Sequence, residues 1–243
     1  MSNSRPTFIR TRSESPIQAL AAALAVCISL FGCGGPASTL EYENPSIDPL
    51  PATSLAGRGD TFEQRQRVAE LNRKRDWPAL VRFAEEQQRR DPEGPDWGVI
   101  AGYAWLRNRD YPSAAAVLSR VTRRNPEDVG AWNLLGESQR LSGQPGRAAQ
   151  TLEYASTIGR SSFVTFFLLG EAYRDASRLD HAIAAYREAV RLEPEFARGW
   201  LELGSAQVRI GERKDAELAL RQLQKLDATL AERLKGRIQL GGK

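Results

Sequence analysis

The chain has 243 residues, 41% apolar and 26% charged, with a formal net charge of +4; this is the composition of a globular protein and excludes wholesale disorder. Three arginines and one glutamate lie in the first 32 residues, so the remainder carries about +2, and that balance gives no electrostatic case for nucleic acid. Cysteine is confined to Cys27 and Cys33 and histidine to His181, which argues against a metal site of clustered His and Cys and against any disulfide or Cys–His pair beyond residue 33.

Residues 1–16 are polar and carry Arg5, Arg10 and Arg12, and an apolar run from Ile17 to Phe31 follows. Such a run is shorter than the roughly 20 residues a membrane-spanning helix needs and suits the core of an export signal. It ends in Leu30-Phe31-Gly32-Cys33. This resembles the bacterial lipobox, with a leucine three residues before the cysteine and a small residue directly before it. The resemblance implies a lipoprotein signal peptide over 1–32 and lipidation, as with palmitate, of Cys33, which becomes the first mature residue. Gly34 and Gly35 follow instead of aspartate; in a two-membrane envelope this implies the outer membrane, facing the periplasm. The alternative is a plain secretory signal cut near Ala37.

Residues 33–60 read as a tether. Prolines stand at 36, 45, 49 and 51 among Ser, Thr and Gly, with no sustained apolar period, as in a flexible or semi-extended spacer. Fully extended at about 3.1 Å per residue, it reaches roughly 80 Å. Packing of Leu40–Tyr42 on the first helices is the alternative for part of it.

From residue 61 the sequence repeats. Gly102, Gly136, Gly170 and Gly204 are spaced by 34, a period that predicts helix–turn–helix units. Twelve residues beyond each glycine stands Ala114, Ala148, Ala182 or Ala216, and sixteen beyond stands Leu118, Leu152, Tyr186 or Leu220. Small residues let two helices cross closely, so each glycine is expected to meet the alanine of its partner helix. Gly143 and Gly211 fall at bends, where a helix end favours a left-handed residue. Pro126 and Pro194 close two units.

These residues resemble the tetratricopeptide repeat family. The resemblance implies an all-α fold, a right-handed α-solenoid of stacked helical hairpins. Its units are 95–128, 129–162, 163–196 and 197–228, after a degenerate first repeat over 61–94 in which Val68 replaces the glycine and Leu80 the alanine. Residues 229–243 are a capping helix and tail, with Leu230, Leu234 and Ile238 on one face; a partner-binding helix is the alternative there.

The same resemblance places the first helix of each hairpin on the concave side. It implies a partner-binding groove that includes Tyr103, Arg107, Asn133, Glu137, Arg140, Phe167, Glu171, Arg174, Leu201, Ser205 and Arg209. Arginine forks would take carboxylates of an extended or helical peptide, and Tyr103 and Phe167 would be apolar anchors. In the competing reading these arginines solvate the surface and pair with Glu137, Glu171 and Asp175 of neighbouring helices. No catalytic residue, cofactor or metal is expected. His181 reads as a surface residue at a helix start, and no glycine-rich turn follows a strand pattern. The expected function is a membrane-anchored scaffold or adaptor for protein or peptide partners in assembly of an envelope complex, similar to a pilotin. The alternatives are a homo-oligomeric structural spacer, or a non-catalytic subunit of a cell-wall enzyme or an outer-membrane assembly complex.

Overall fold

The chain divides into two units, residues 1–43 and 44–243, and all the residues described below belong to the second. The computed structural model describes residues 61–92, 96–158 and 162–241. The proposed signal peptide, the tether to residue 60 and Cys33 lie outside them.

The described residues form eleven helices and no strand. They are α1 (Phe62–Arg73), α2 (Trp77–Arg90), α3 (Gly98–Arg107), α4 (Tyr111–Arg124), α5 (Val129–Leu141), α6 (Pro145–Thr157), α7 (Phe163–Asp175), α8 (Leu179–Leu192), α9 (Ala197–Ile210), α10 (Arg213–Leu226) and α11 (Ala228–Leu240). The first ten pair into five hairpins. Each helix packs on the next in sequence, α3 also touches α5, and α5 also touches α7. This is an α-solenoid: a hairpin buries its apolar face only by stacking on its neighbours. Helix α11 covers the last hairpin by packing on both α9 and α10, with Ala231, Leu234 and Ile238 buried.

Local chemistry fixes the helix starts. Asp76, Asp110, Asp128 and Asp227 each accept a hydrogen bond from the backbone N–H three residues on. Thr61 and Gln64 form a reciprocal capping box. Each cap satisfies a donor that the helix itself leaves unpaired. Pro78, Pro112 and Pro145 sit in first turns, where the missing N–H costs nothing.

The hairpin bends repeat down to single backbone bonds. Residues 75, 109, 143, 177 and 211 are 34 apart, and all five have positive φ: Arg75 54°, Arg109 63°, Gly143 77°, Ser177 60° and Gly211 86°. The residue after each donates its N–H back across the bend: Asp76 to Leu71 at 3.0 Å, Asp110 to Trp105 at 3.0 Å, Gln144 to Gln139 at 2.9 Å, Arg178 to Tyr173 at 2.8 Å and Glu212 to Gln207 at 2.9 Å. This is the Schellman termination. It is met by glycine at only two of the five bends.

The nearest neighbours of the repeat glycines are large side chains rather than the alanines twelve residues on, and that expectation is corrected; only Gly204 has an alanine, Ala219, among its nearest contacts, at 3.1 Å. A Cβ on Gly102, Gly136 or Gly170 would lie 2.5 Å from the side chain of Leu118, Leu152 or Tyr186, the residue sixteen positions on. At Gly204 it would meet Leu234 of α11 at 2.6 Å. The glycine is a socket for a large side chain, and the buried alanines keep the second helix close. Between hairpins, Trp132 and Trp200 donate their indole N–H to the carbonyls of Pro126 and Pro194, at 2.8 and 2.9 Å. The proline that stops one hairpin thereby supplies an acceptor that fixes the first helix of the next.

Candidate functional site

The first helices carry a chain of charged contacts that crosses three hairpins. Glutamate one residue after the repeat glycine and arginine four after it are three apart, hence on one helix face. In α5, Arg140 forks onto Glu137 with two bonds of 2.8 Å and reaches Asp175 of α7 at 2.6 Å. In α7, Arg174 bonds Glu171 at 2.7 Å and Asp175 at 2.9 Å, and reaches Glu202 of α9 at 3.3 Å. The hydroxyl of Tyr186, from α8, donates to Glu171 at 2.6 Å. Arg198 of α9 stands 3.9 Å from Glu171 and lies over the Phe167 ring at 4.9 Å.

Burial sets the electrostatics of this chain. Glu137 is 1% exposed and Glu171 2%. Desolvation pushes the Glu171 carboxyl up to about 7, against the opposing pull of Arg174 and the Tyr186 hydroxyl. Desolvation also lowers the Arg198 guanidinium to about 10. For Arg140, burial acts downward but the bonds to Glu137 and Asp175 outweigh it and hold the proton more tightly than usual. Burial would raise Asp175, yet the Arg140 and Arg174 contacts keep it below the ordinary range.

The sequence-predicted residues separate into distinct environments. Glu137, Arg140, Glu171 and Arg174 come together in the network. Tyr103 and Phe167 are 0% exposed, and their expected role as open apolar anchors is corrected. The Tyr103 ring packs edge-on to Trp77 and its hydroxyl donates to Asn72 at 3.2 Å. Phe167 packs against Tyr186 and Phe196. Leu201 is likewise buried, and Ser205 donates its hydroxyl to the Leu201 carbonyl while accepting from Arg237 of α11. Arg107 is half-buried, its guanidinium 5.2 Å above the Trp77 ring, and Arg209 is exposed. Asn133 is half-buried, and its Oδ1 is shielded from solvent with no hydrogen-bond partner.

The expectation that Arg140 and Arg174 offer open forks is also corrected, because both are engaged by carboxylates of their own chain. Arg198, Glu202 and the Tyr186 hydroxyl join the network without a signal in the repeat pattern. That pattern marks Tyr186 as a packing residue alone, and it serves both purposes. Among the described residues no group of three or more His, Cys, Asp or Glu is placed to hold a metal ion. No described helix is long and apolar enough to cross a membrane.

Stacked hairpins with sockets, Schellman bends and a capping helix define an α-solenoid of the scaffold type. More particularly, these are tetratricopeptide repeats: residues 100–162 match the tetratricopeptide repeat model and residues 170–211 match a second TPR repeat model. Repeats of this kind generally serve as non-catalytic scaffolds for protein–protein interaction. Among solved structures, MamA (residues 41 to the end) from Desulfovibrio magneticus RS-1 aligns with a TM-score of 0.61 at 24% identity, covering 68% of this chain and 93% of that one. TTC0263, a thermophilic TPR protein of Thermus thermophilus, aligns with a TM-score of 0.57 at 16% identity, covering 72% and 96%. YrrB, a TPR protein with an unusual peptide-binding site, aligns with a TM-score of 0.57 at 18% identity, covering 70% and 88%. Superkiller complex protein 3 of Mus musculus is 25% identical over 118 residues, 46% of this chain, and the match spans 8% of that protein's length.

Proposed function

We propose that this protein is a membrane-anchored scaffold or adaptor, not an enzyme, that binds a protein or peptide ligand along the face built by α3, α5, α7 and α9. Cys33 is its lipid anchor, residues 34–60 are its tether, and it works at the outer membrane facing the periplasm, in pilotin-like assembly of an envelope complex. The lipobox-like Leu30-Phe31-Gly32-Cys33 supports the anchor. Structural likeness to YrrB, described as having a peptide-binding site, supports a peptide-sized ligand.

The observation that carries the ligand reading is the Asn133 carboxamide. Its oxygen is shielded from solvent and accepts no hydrogen bond, and it stands four residues before Glu137 of the ion network on the same helix. An unpaired buried acceptor costs about 1–3 kcal/mol, and a ligand N–H would recover that. Because Arg140 and Arg174 hold the hairpins together, the ligand is read by Asn133 and by the less buried Arg107 and Arg209, not by arginine forks.

Asn133→Ala separates the two roles. It leaves helicity and melting temperature equal or higher, and it lowers recovery of partners from detergent-solubilised envelopes about tenfold, the scale of one lost polar contact. Unchanged recovery, or no specific partner for the wild type under several conditions, would sink the proposal. The anchor is tested separately by mass spectrometry of the mature N-terminus, where an unmodified start beyond Cys33 removes the membrane from the account.

A further inference from the structure

Helix α11 repeats the first helices, two residues out of step. In α5 the residues five before, two before and two after the repeat glycine, Ala131, Leu134 and Ser138, are buried, and the same three positions are buried in α7 and α9. In α11 the buried residues are Ala231, Leu234 and Ile238. They stand in that same relation to Gly236, which follows Gly204 by 32 residues instead of 34. A Cβ on Gly236 would meet nothing within 4 Å, whereas a side chain of the second helix fills the socket of Gly102, Gly136 and Gly170. The capping helix is therefore a first helix with its groove face intact.

That register places arginine in the groove. The residues three before and one after the glycine are Asn133 and Glu137 in α5 and Leu201 and Ser205 in α9; in α11 they are Arg233 and Arg237, both exposed. The contacts agree. Arg237 donates to the Ser205 hydroxyl, and the charge of Arg233 adds to the burial that lowers the Arg198 guanidinium of α9, against the pull of Glu202. On α9, Arg198, Glu202, Ser205 and Arg209 follow at steps of four and three residues and share one face. The two faces together carry four arginines and one glutamate, and Glu202 already bonds Arg174 at 3.3 Å. Among the described residues Arg209 and Arg233 form no ion pair, Glu232 is taken by Lys235, and Asp227 caps α11. The helix dipole favours Arg209 and Arg237, in last turns, but not Arg198 in the first turn of α9 or Arg233 in mid-helix. Holding Arg233 beside Arg198 opposes folding.

We infer that the α9–α11 end of the groove seats a run of carboxylates, so that the ligand is a peptide segment rich in aspartate or glutamate lying against Arg209, Arg233 and Arg237. Guanidinium groups match carboxylates in charge and in fork geometry, and complementary charge steers and orients an approaching partner. The face continues the row of first helices along which the peptide ligand is proposed to lie, and the inference rests on that reading for its choice of a peptide. In α5 and α7 the arginines are closed off by Glu137, Glu171 and Asp175; at α9 and α11 the equivalent acids are replaced by Ser205 and Arg237.

Fluorescence anisotropy of a fluorescein-labelled oligoglutamate, with oligoglutamine as the neutral control, tests this on the full chain in nonionic detergent. The basic residues before Ile17 are common to every variant and cancel in the comparison. Arg233→Gln lowers the affinity for oligoglutamate about tenfold and Arg209→Gln by a similar factor, the scale of one charge-assisted contact. Arg233→Gln also leaves the melting temperature equal or higher, because it relieves Arg198, whereas a residue that only holds the cap in place would lower it. Arg187→Gln, the same change of charge on exposed α8, leaves the affinity within about twofold. Equal binding of oligoglutamine, an equal loss for Arg187→Gln, or unchanged affinity in both Arg233→Gln and Arg209→Gln overturns the inference. Micelles containing phosphatidylglycerol that displace the peptide better than unlabelled oligoglutamate of equal charge would assign the face to lipid instead. The native partner is not needed. Failure here with Asn133-dependent partner recovery intact leaves a groove ligand of other chemistry, and oligoglutamate binding with no partner recovered leaves this site and removes the scaffold reading.

Discussion

Glutamine at position 171 isolates the energetic cost of the buried network. Folding carries the Glu171 carboxyl from its ordinary value of 4.5 to about 7, chiefly through desolvation. That gap corresponds to about 3 kcal/mol between the two protonation states. The sign follows from which state holds the proton. Below pH 4.5 both folded and unfolded chains are protonated and the contribution is fully present. Between 4.5 and 7 the unfolded chain releases its proton while the folded chain retains it, so stability declines and then levels off. Glu171→Gln removes this titration while keeping an acceptor for the Tyr186 hydroxyl. Asp175 contributes in the opposite sense, its stabilisation being lost as pH falls through its lowered value; it is present in both proteins and cancels to first order. Guanidinium unfolding at intervals from pH 4.5 to 8 gives the difference curve. Stability of the wild type relative to the glutamine variant should fall by about 3 kcal/mol across that window. A curve flat to about 0.5 kcal/mol, or one rising with pH, would show that Arg174 and Arg198 compensate burial fully and that the reasoning is wrong.

Gly136→Ala places a Cβ 2.5 Å from Cγ of the fully buried Leu152; overpacking of about 1–3 kcal/mol outweighs a helix-propensity gain of about 1 kcal/mol, and the chemical-denaturation midpoint drops. Gly146→Ala, with nothing within 4 Å of its Cβ, serves as the control and stabilises by up to about 1 kcal/mol. Ser177→Gly relieves the left-handed bend at φ 60° and raises stability by about 1 kcal/mol, read as a melting temperature a few degrees higher; a fall would mean that the serine side chain holds the bend.

The 34-residue period was legible because glycine, alanine and large apolar residues keep their places through four units. The same period leads from Gly143 and Gly211 to positions 75, 109 and 177, but arginine and serine carry no turn signal of their own. The glycine contact is not legible in the period, because spacing places residues on a face without saying which neighbouring side chain points into the gap. Tyr103 and Phe167 fall at positions shared with residues of the partner face, yet hairpin stacking closes over them. Network membership was half visible. The pairs Glu137–Arg140 and Glu171–Arg174 follow from helix geometry, whereas Asp175, Glu202 and Arg198 are joined to them by the approach of α5, α7 and α9, which no local pattern encodes.

Site-specific photo-crosslinking in intact cells tests the scaffold claim most directly. A photoreactive residue is placed at Arg209 or Leu141, on the face proposed to bind, or at Arg187, exposed on the second helix α8. Discrete adducts with a partner are expected from positions 209 and 141, reduced by Asn133→Ala, and none from 187. Adducts from 187 alone, with 209 and 141 silent, would contradict it.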